Sequence, residues 1–162
     1  DKNLVMGEWG RGGKRAYHHT APVNSLYALH ESLVMLHEEG MENAWQRHQL
    51  HHEALRAGLE AMGVNFLVDE ECRLPQLNTV FVPEGVDEAE VRTRLLNEYS
   101  LEIGAGLGAL AGKVWRIGLM GSSCNRRNVM FCLSALENTL SSMKAPITRG
   151  VAALAAEAVY NA

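Results

Sequence analysis

Arg116 is the residue whose setting most directly suggests chemistry. Residues 113–119 alternate as a β-strand does, which would place Arg116 between Val114 and Gly118 on one face of that strand. A planar guanidinium with a glycine leaving room beside it suits two-point binding of a carboxylate or a phosphate. The same side chain could instead pair with a nearby acidic residue or lie in water. The residues alone leave both interpretations open.

A second group of polar side chains precedes the first predicted helix. Tyr17, His18, His19 and Thr20 bring hydroxyl and imidazole groups to consecutive loop positions. Phosphate is often bound in such a position, where hydroxyl donors stand beside the free N–H groups of a helix N-terminus. A partly buried turn with satisfied polar groups explains the same residues and is the simpler interpretation.

Three histidines have the spacing of metal ligands on a helix. His48, His51 and His52 could share a helix face, but no His-Glu-x-x-His sequence is present and no carboxylate clearly completes a site. The first and third fall in an apolar stripe, which favours packed, neutral imidazoles. We therefore predict no metal site.

Two further sequence patterns lack the neighbouring structure or residues that their functions would require. Residues 104–109 fit Gly-x-Gly-x-x-Gly/Ala, but a strand pattern follows them where a dinucleotide site needs a helix. Cys124 stands at a predicted helix N-terminus, which stabilises a thiolate. No histidine lies near Cys124 in sequence, so a thiol without a catalytic role is favoured.

The elements that must position these residues follow from periodicity. Leucines three and four residues apart predict two helices, or one kinked at Gly40, within 22–62, and further helices over 87–99 and from Asn125. Asp87 and Asn125 are expected to cap their helices. Alternating segments predict strands at 64–68, 78–82, 101–103 and 113–119. The order predicts an α+β fold, with helices packed on a small, mainly antiparallel sheet.

Composition excludes several classes of protein. The 162 residues carry 15 Lys and Arg against 19 Asp and Glu, and 47% are apolar. This excludes a disordered acidic tail and a basic nucleic-acid arm, and no apolar run is long enough for a membrane span. Three cysteines without a Cys-x-x-Cys pair favour a reducing compartment. We expect a cytoplasmic protein without nucleic-acid or membrane partners.

Several segments along the chain form one larger pattern. They comprise residues 17–23, 25–33, 40–45 with Arg47 and His48, 73–75, 101–103, 106–108 and 112–121, with Asn125, Asn128 and Val129. Taken together, they resemble the C-terminal part of the class V, fold-type I aminotransferases that depend on pyridoxal phosphate (PLP), and are most similar to the alanine–glyoxylate, or serine–pyruvate, group. The segments keep the family's order along the chain.

The resemblance implies a role for three residues. In that family the Tyr and Thr of Tyr-His-His-Thr reach the cofactor phosphate from the neighbouring subunit of a homodimer, which gives this role to Tyr17 and Thr20. The arginine of the Arg-Ile-Gly strand holds the substrate carboxylate, which gives that role to Arg116. The implied reaction moves an amino group from alanine or serine to a 2-oxo acid such as glyoxylate or pyruvate.

The family's Schiff-base lysine has no counterpart in these residues. None of Lys2, Lys14, Lys113 and Lys144 stands in its sequence context, and transamination needs that amine. We therefore expect this chain alone to be inactive and not to retain PLP.

The resemblance also divides the chain into segments. Residues 1–21 would end the cofactor-contacting large domain, 22–62 would be linking helices, 63–143 the α+β small domain and 144–162 a helical tail. One alternative is a non-catalytic dimerisation or assembly module derived from this fold. Another is a class V cysteine desulfurase with Cys124 as nucleophile, but the sequence around this cysteine lacks the desulfurase loop pattern.

Overall fold

A computed structural model describes residues 20–162 of the chain. Within this range five α-helices accompany one three-stranded antiparallel sheet, which confirms the predicted α+β architecture. The helices are α1 (Val23–Glu39), α2 (Met41–Met62), α3 (Glu88–Tyr99), α4 (Arg126–Ser142) and α5 (Ala152–Tyr160), and the strands are β1 (Leu77–Phe81), β2 (Gly104–Ala105) and β3 (Val114–Gly118). None of the described helices is long and apolar enough to cross a membrane.

The chain divides into two compact units, one ending at Met41 and the other spanning Glu42–Ala162. In the first unit, α1 has no buried residue, and its leucines are about half exposed. Gly40 ends α1 with a φ of 85°, a conformation that favours glycine, so the predicted break is confirmed. The division falls inside the predicted linker 22–62, whose boundaries remain a prediction.

In the second unit the sheet has the order β1-β3-β2, so β3 is the central strand. Asn78 pairs with Ile117 and Val80 with Trp115, and all four side chains face the core. Arg116 pairs with Thr79 on one side and with Gly104 on the other, and these residues share the opposite face. The alternation predicted for 113–119 is therefore confirmed for Arg116.

The core forms between the sheet and the helices of the second unit. Its fully buried side chains come from α2, α3, α4, α5 and the sheet, and include Leu55, Leu59, Val91, Leu95, Leu133, Leu136 and Trp115. The indole N–H of Trp115 donates to the Glu88 carbonyl at 3.3 Å, which joins β3 to the start of α3. This packing makes the central strand a rigid support for Arg116.

Two predicted strands are wrong in extent. Residues 64–68 form one bridge to β1, between Phe66 and Val80, with hydrogen bonds from the Leu67 N–H to the Thr79 carbonyl and from the Phe81 N–H to the Asn65 carbonyl. The pairing extends no further because the Val64 N–H bonds back to α2 and the Val68 carbonyl accepts from Arg73. Residues 101–103 do not form a strand either. The Leu101 N–H bonds to the Leu95 carbonyl and so belongs to the helix terminus, and pairing with β3 begins at 104.

Both predicted helix caps are confirmed. The Asp87 carboxylate accepts from the Glu90 N–H, and the Asn125 side chain accepts from the Asn128 N–H, each at 3.0 Å. Each cap satisfies an N–H group that the first helical turn leaves without a partner.

The tail forms α5, which lies on the other helices of its unit. The Glu137 carboxylate accepts from the Val151 and Ala152 N–H groups at the N-terminal end of α5. At the other end, the Tyr160 hydroxyl lies 2.8 Å from Nδ1 of His51. Both ends of α5 are therefore fixed.

Candidate functional site

Arg116 projects from the middle of the central strand and is partly buried. Its Nε donates to the Ala105 carbonyl on β2 at 2.7 Å, which fixes the plane of the guanidinium. The two terminal nitrogens make no hydrogen bond with the residues that the structure describes. They remain available for the two parallel bonds that a carboxylate accepts.

The sequence left open whether Arg116 pairs with a local acid. Within residues 20–162 no carboxylate lies within 4.0 Å of its guanidinium. Arg92 shows the contrasting case, because Glu88 holds it in an ion pair that raises the pKa of Arg92. The structure therefore disfavours the ion-pair interpretation for Arg116.

The sheet face around Arg116 is largely open. Leu77 and Phe81 on β1 are 39% and 42% exposed, and Gly118 on β3 is exposed. Val114 is the exception: it is fully buried, and Gly106 lies so close to it that a Cβ there would be 2.9 Å from Cγ2 of Val114. A flat molecule could thus approach the guanidinium from outside the sheet.

The candidate phosphate donors belong to the other unit. Thr20 is exposed and precedes α1, whose first turn contains no acidic side chain. Tyr17 lies outside the described residues. Thr20 and Arg116 lie in separate units, so their roles at one site stay a prediction.

The three histidines are buried and have separate partners. Nδ1 of His48 lies 2.6 Å from the Ala44 carbonyl oxygen. Nδ1 of His51 lies 2.8 Å from the Tyr160 hydroxyl, and Nδ1 of His52 lies 2.7 Å from the Asn78 amide oxygen. Burial, with Arg47 and His48 nearby, lowers the pKa of His51. The prediction of packed histidines is confirmed, and no group of three metal-ligating side chains occurs within 20–162.

Neither of the two buried cysteines, Cys124 and Cys132, is positioned to act as a nucleophile. Cys124 is 1% exposed, and burial raises the pKa of the Cys132 thiol to about 12. A nucleophile needs both access and a thiolate. The desulfurase alternative therefore loses its structural basis.

The glycine-rich segment forms a tight connection between β2 and β3. A side chain at Gly106 would lie 2.0 Å from the Leu110 carbonyl oxygen, and Gly108 has a φ of 55°. A short 3-10 turn at Gly108–Leu110 and then strand β3 follow the segment, so the α-helix that a dinucleotide site needs does not come next along the chain.

Sequence reasoning missed two contacts that support the site. The Ala105 carbonyl orients Arg116, and a backbone acceptor leaves no signal in residue types. Arg47 on α2 donates to the carbonyls of Gly121 and Cys124 at 2.9 and 2.8 Å, which holds the turn that follows β3. Its only sequence signal is its place beside Trp45 and His48 in the segment 40–48.

Comparisons with known proteins bear on this arrangement. No family model matches the chain. The chain is 44% identical over 148 residues to (S)-ureidoglycine–glyoxylate transaminase of Bacillus subtilis, and the match covers 91% of this chain and 36% of that protein. It is 44% identical over 142 residues to alanine–glyoxylate aminotransferase of Callithrix jacchus, with 86% and 34% covered.

Solved structures agree with these relatives. The crystal structure of the Bacillus subtilis ureidoglycine–glyoxylate aminotransferase aligns with a TM-score of 0.85 at 43% identity, covering 90% of this chain and 38% of that one. Alanine–glyoxylate aminotransferase from Nostoc sp. aligns with a TM-score of 0.76 at 50% identity, covering 86% and 37%. The chain belongs to the class V aminotransferases. It corresponds to their C-terminal portion and spans just over a third of the length of these relatives.

The class V assignment confirms the resemblance read from the sequence. It does not depend on the fold alone, because identities of 43–50% accompany the structural alignment. The arginine strand 112–121 and the segment 40–48 are thus parts of the C-terminal portion of a class V aminotransferase.

Proposed function

We propose that the chain is the acid-binding portion of a PLP-dependent aminotransferase that uses glyoxylate or a similar small 2-oxo acid as amino acceptor. The observation that carries the proposal is Arg116, whose terminal nitrogens bind no residue within 20–162 and lie on an open sheet face. The names of the relatives support the acceptor, because each of the two named above includes glyoxylate.

The described residues at the predicted phosphate position are compatible with the phosphate group of PLP. Thr20 supplies an exposed hydroxyl, and the first turn of α1 supplies N–H groups with no carboxylate to repel a phosphate. We propose that Thr20 and Tyr17 hold the phosphate of a cofactor bound in the partner subunit. When bound, PLP supplies the electron sink for amino-group exchange.

The chain's own contribution to the reaction is positioning. An amino acid and a 2-oxo acid both carry a carboxylate next to the reacting carbon, so one guanidinium can hold each in turn. The Ala105 carbonyl fixes Nε of Arg116, so the direction of the bound carboxylate is set before the substrate arrives. The Schiff-base lysine has no counterpart here, and we propose that this chain alone is inactive and does not retain PLP.

The amino donor has two candidates. Alanine or serine follows from the alanine–glyoxylate group that the sequence resembles. (S)-Ureidoglycine is favoured by the Bacillus subtilis relative, which aligns with the chain at a TM-score of 0.85. Steady-state rates of the gene product with each donor and glyoxylate would separate them.

We further propose a cytoplasmic homodimer. The three cysteines are free thiols, which fits a reducing compartment. The apolar side chains of α1 are exposed within their unit, which supports a role at an interface. The same exposure supports the alternative of a non-catalytic assembly module.

Replacing Arg116 by lysine tests the proposed function in the protein as its gene encodes it. Lysine keeps the charge but loses the planar fork. We expect kcat/KM for both the amino donor and glyoxylate to fall by about 10- to 100-fold, the loss expected for one or two charge-assisted hydrogen bonds. Steady-state kinetics with each substrate varied in turn would measure the effect.

Arg127→Lys is the matched control, because Arg127 is exposed on α4. Near-normal kinetics of Arg116→Lys would reject the role of Arg116. A gene product that is a stable, colourless dimer and shows no transamination would favour the assembly module.

A further inference from the structure

We infer that Gly118 and Gly104 are specificity-determining residues, because their lack of a side chain is what lets a carboxylate reach the guanidinium of Arg116. The inference rests on the proposed function. Beyond the proposed function, we infer that two glycines next to the arginine leave the backbone of the acid-binding site uncovered: Gly104 on β2 and Gly118 on β3. Either glycine could be replaced without harm to the fold but not without harm to binding.

Most glycines of the second unit have a structural reason. Gly85, Gly108, Gly112, Gly121 and Gly150 have φ values between 55° and 76°, where other residues are strained. Gly106 has a steric reason, because a Cβ there would lie 2.0 Å from the Leu110 carbonyl oxygen. Folding alone explains these glycines.

Gly118 has neither reason. Its φ lies outside the left-handed region, and a Cβ there would meet only the terminal methyl of Met120, at 3.6 Å. That distance is an ordinary van der Waals contact. Gly118 is exposed and lies two residues beyond Arg116 on the same face of β3.

Gly104 lies on the neighbouring strand and also has no conformational reason to be glycine. It pairs directly with Arg116, and its φ lies outside the left-handed region. A Cβ there would lie 3.4 Å from Cβ, Nε and Nη2 of Arg116, a tight contact, and these are the three nearest atoms among the described residues. A side chain at 104 would thus cover the guanidinium itself.

A glycine within a strand is unfavourable for stability, because it loses more conformational freedom on folding than alanine does. Such a glycine often marks the close approach of a ligand. Gly104 lies against the guanidinium, and Gly118 lies two residues along the same face of β3. Together they leave bare backbone next to the two terminal nitrogens that no described residue binds, and a planar carboxylate can lie there. The group they admit is the carboxylate of a small 2-amino or 2-oxo acid.

Gly118→Ala in the full gene product tests the inference. We expect an unchanged or higher Tm, because alanine is the better strand residue. We also expect KM for the donor and for glyoxylate to rise by about tenfold or more, with a smaller change in kcat. Calorimetric titration with glyoxylate should show the same loss of affinity without turnover, and Gly104→Ala should behave likewise.

Gly85→Ala is the matched control, because it adds the same methyl group in the turn before α3. Its φ of 76° makes alanine strained there, although no atom lies within 4 Å of the added group. We expect the opposite result, with a lower Tm and unchanged KM.

The outcomes separate this inference from the proposed function. Unchanged KM and glyoxylate affinity in Gly118→Ala, with the expected loss in Arg116→Lys, would overturn the inference alone. No loss in either variant would reject the proposed function as well. A fall in Tm or a failure of Gly118→Ala to fold would show that the fold requires this glycine, which also overturns the inference.

Discussion

Whether an arginine of this protein can bind a ligand depends on whether a neighbouring residue already forms hydrogen bonds with its guanidinium. Arg92 extends from helix α3 and Arg116 from strand β3. The Glu88 carboxylate accepts two hydrogen bonds from Arg92. Among the described residues only the Ala105 carbonyl binds Arg116, which leaves most of its five N–H donors without a partner there. The difference lies in the local partner and not in the residue type.

The cysteines allow a test at the same scale. Cys72 is exposed, whereas Cys124 and Cys132 are buried and the pKa of Cys132 is raised to about 12. We expect iodoacetamide at about pH 8 to modify only Cys72 in the folded chain, because alkylation requires an accessible thiolate. Mass spectrometry of the labelled peptides would measure this.

Labelling in guanidinium chloride is the control and should modify all three cysteines. Rapid modification of Cys124 in the folded protein would contradict its burial and restore the desulfurase alternative.

At the scale of elements, β3 and the start of α4 form one supported segment. Arg47 holds the turn after β3 from α2, and the amide N–H of Asn125 donates to the Ser122 carbonyl at 3.3 Å. The Asn125 oxygen then caps α4. The strand that carries Arg116 is therefore fixed beyond its own ladder of hydrogen bonds.

Removing the cap tests the contribution of this segment to stability. Asn125→Ala leaves the Asn128 N–H without its acceptor, and we expect the free energy of unfolding to fall by about 1 kcal/mol. Urea unfolding followed by circular dichroism would measure it.

Asn138→Ala is a suitable comparison, since Asn138 is exposed within the same helix. Alanine has the higher helix propensity, so this variant should be neutral or slightly more stable. Equal losses in both variants would argue against the capping role.

At the scale of the second unit, α5 joins the chain's end to α2 through Tyr160 and His51. Their rings also meet edge to face, with centroids 5.6 Å apart. Arg126 lies over the Tyr160 ring and pairs with Glu157. Burial of the hydroxyl raises the pKa of Tyr160 to about 12, so the phenol stays protonated near neutral pH.

The lowered pKa of His51 predicts how stability depends on pH. The unfolded chain binds this proton more readily, so stability rises with pH; the contribution is complete above the ordinary value of 6.5 and is lost as the pH falls towards the folded pKa. We expect the unfolding free energy to fall between about pH 7.5 and 5.5. Denaturant melts at both pH values would measure the difference.

His51→Gln should reduce this pH difference, because glutamine does not titrate, while the other histidines remain in both proteins. An identical pH dependence in wild type and His51→Gln would show that His51 does not cause it.

Several features could be predicted from the sequence because they depend on neighbours along the chain. The break at Gly40, the caps at Asp87 and Asn125 and the face of β3 that carries Arg116 all follow from local conformation and periodicity. The order of predicted helices and strands gave the α+β class, and the segments that resemble class V aminotransferases gave the family. The strands predicted at 64–68 and 101–103 were wrong in extent. Each segment begins with an N–H group, that of Val64 or Leu101, which bonds to the end of the preceding helix, and period-two patterning does not reveal this.

Tertiary structure decided which residues that are distant in sequence contact Arg116 and form hydrogen bonds with it. The amino-acid sequence determined that an arginine stands on a strand face beside a glycine. It did not determine that Ala105 orients the guanidinium, that no described carboxylate neutralises it, or that Gly104 lies against it. Those facts depend on the pairing of β2 with β3, which brings together residues about a dozen positions apart and leaves no local pattern in the chain.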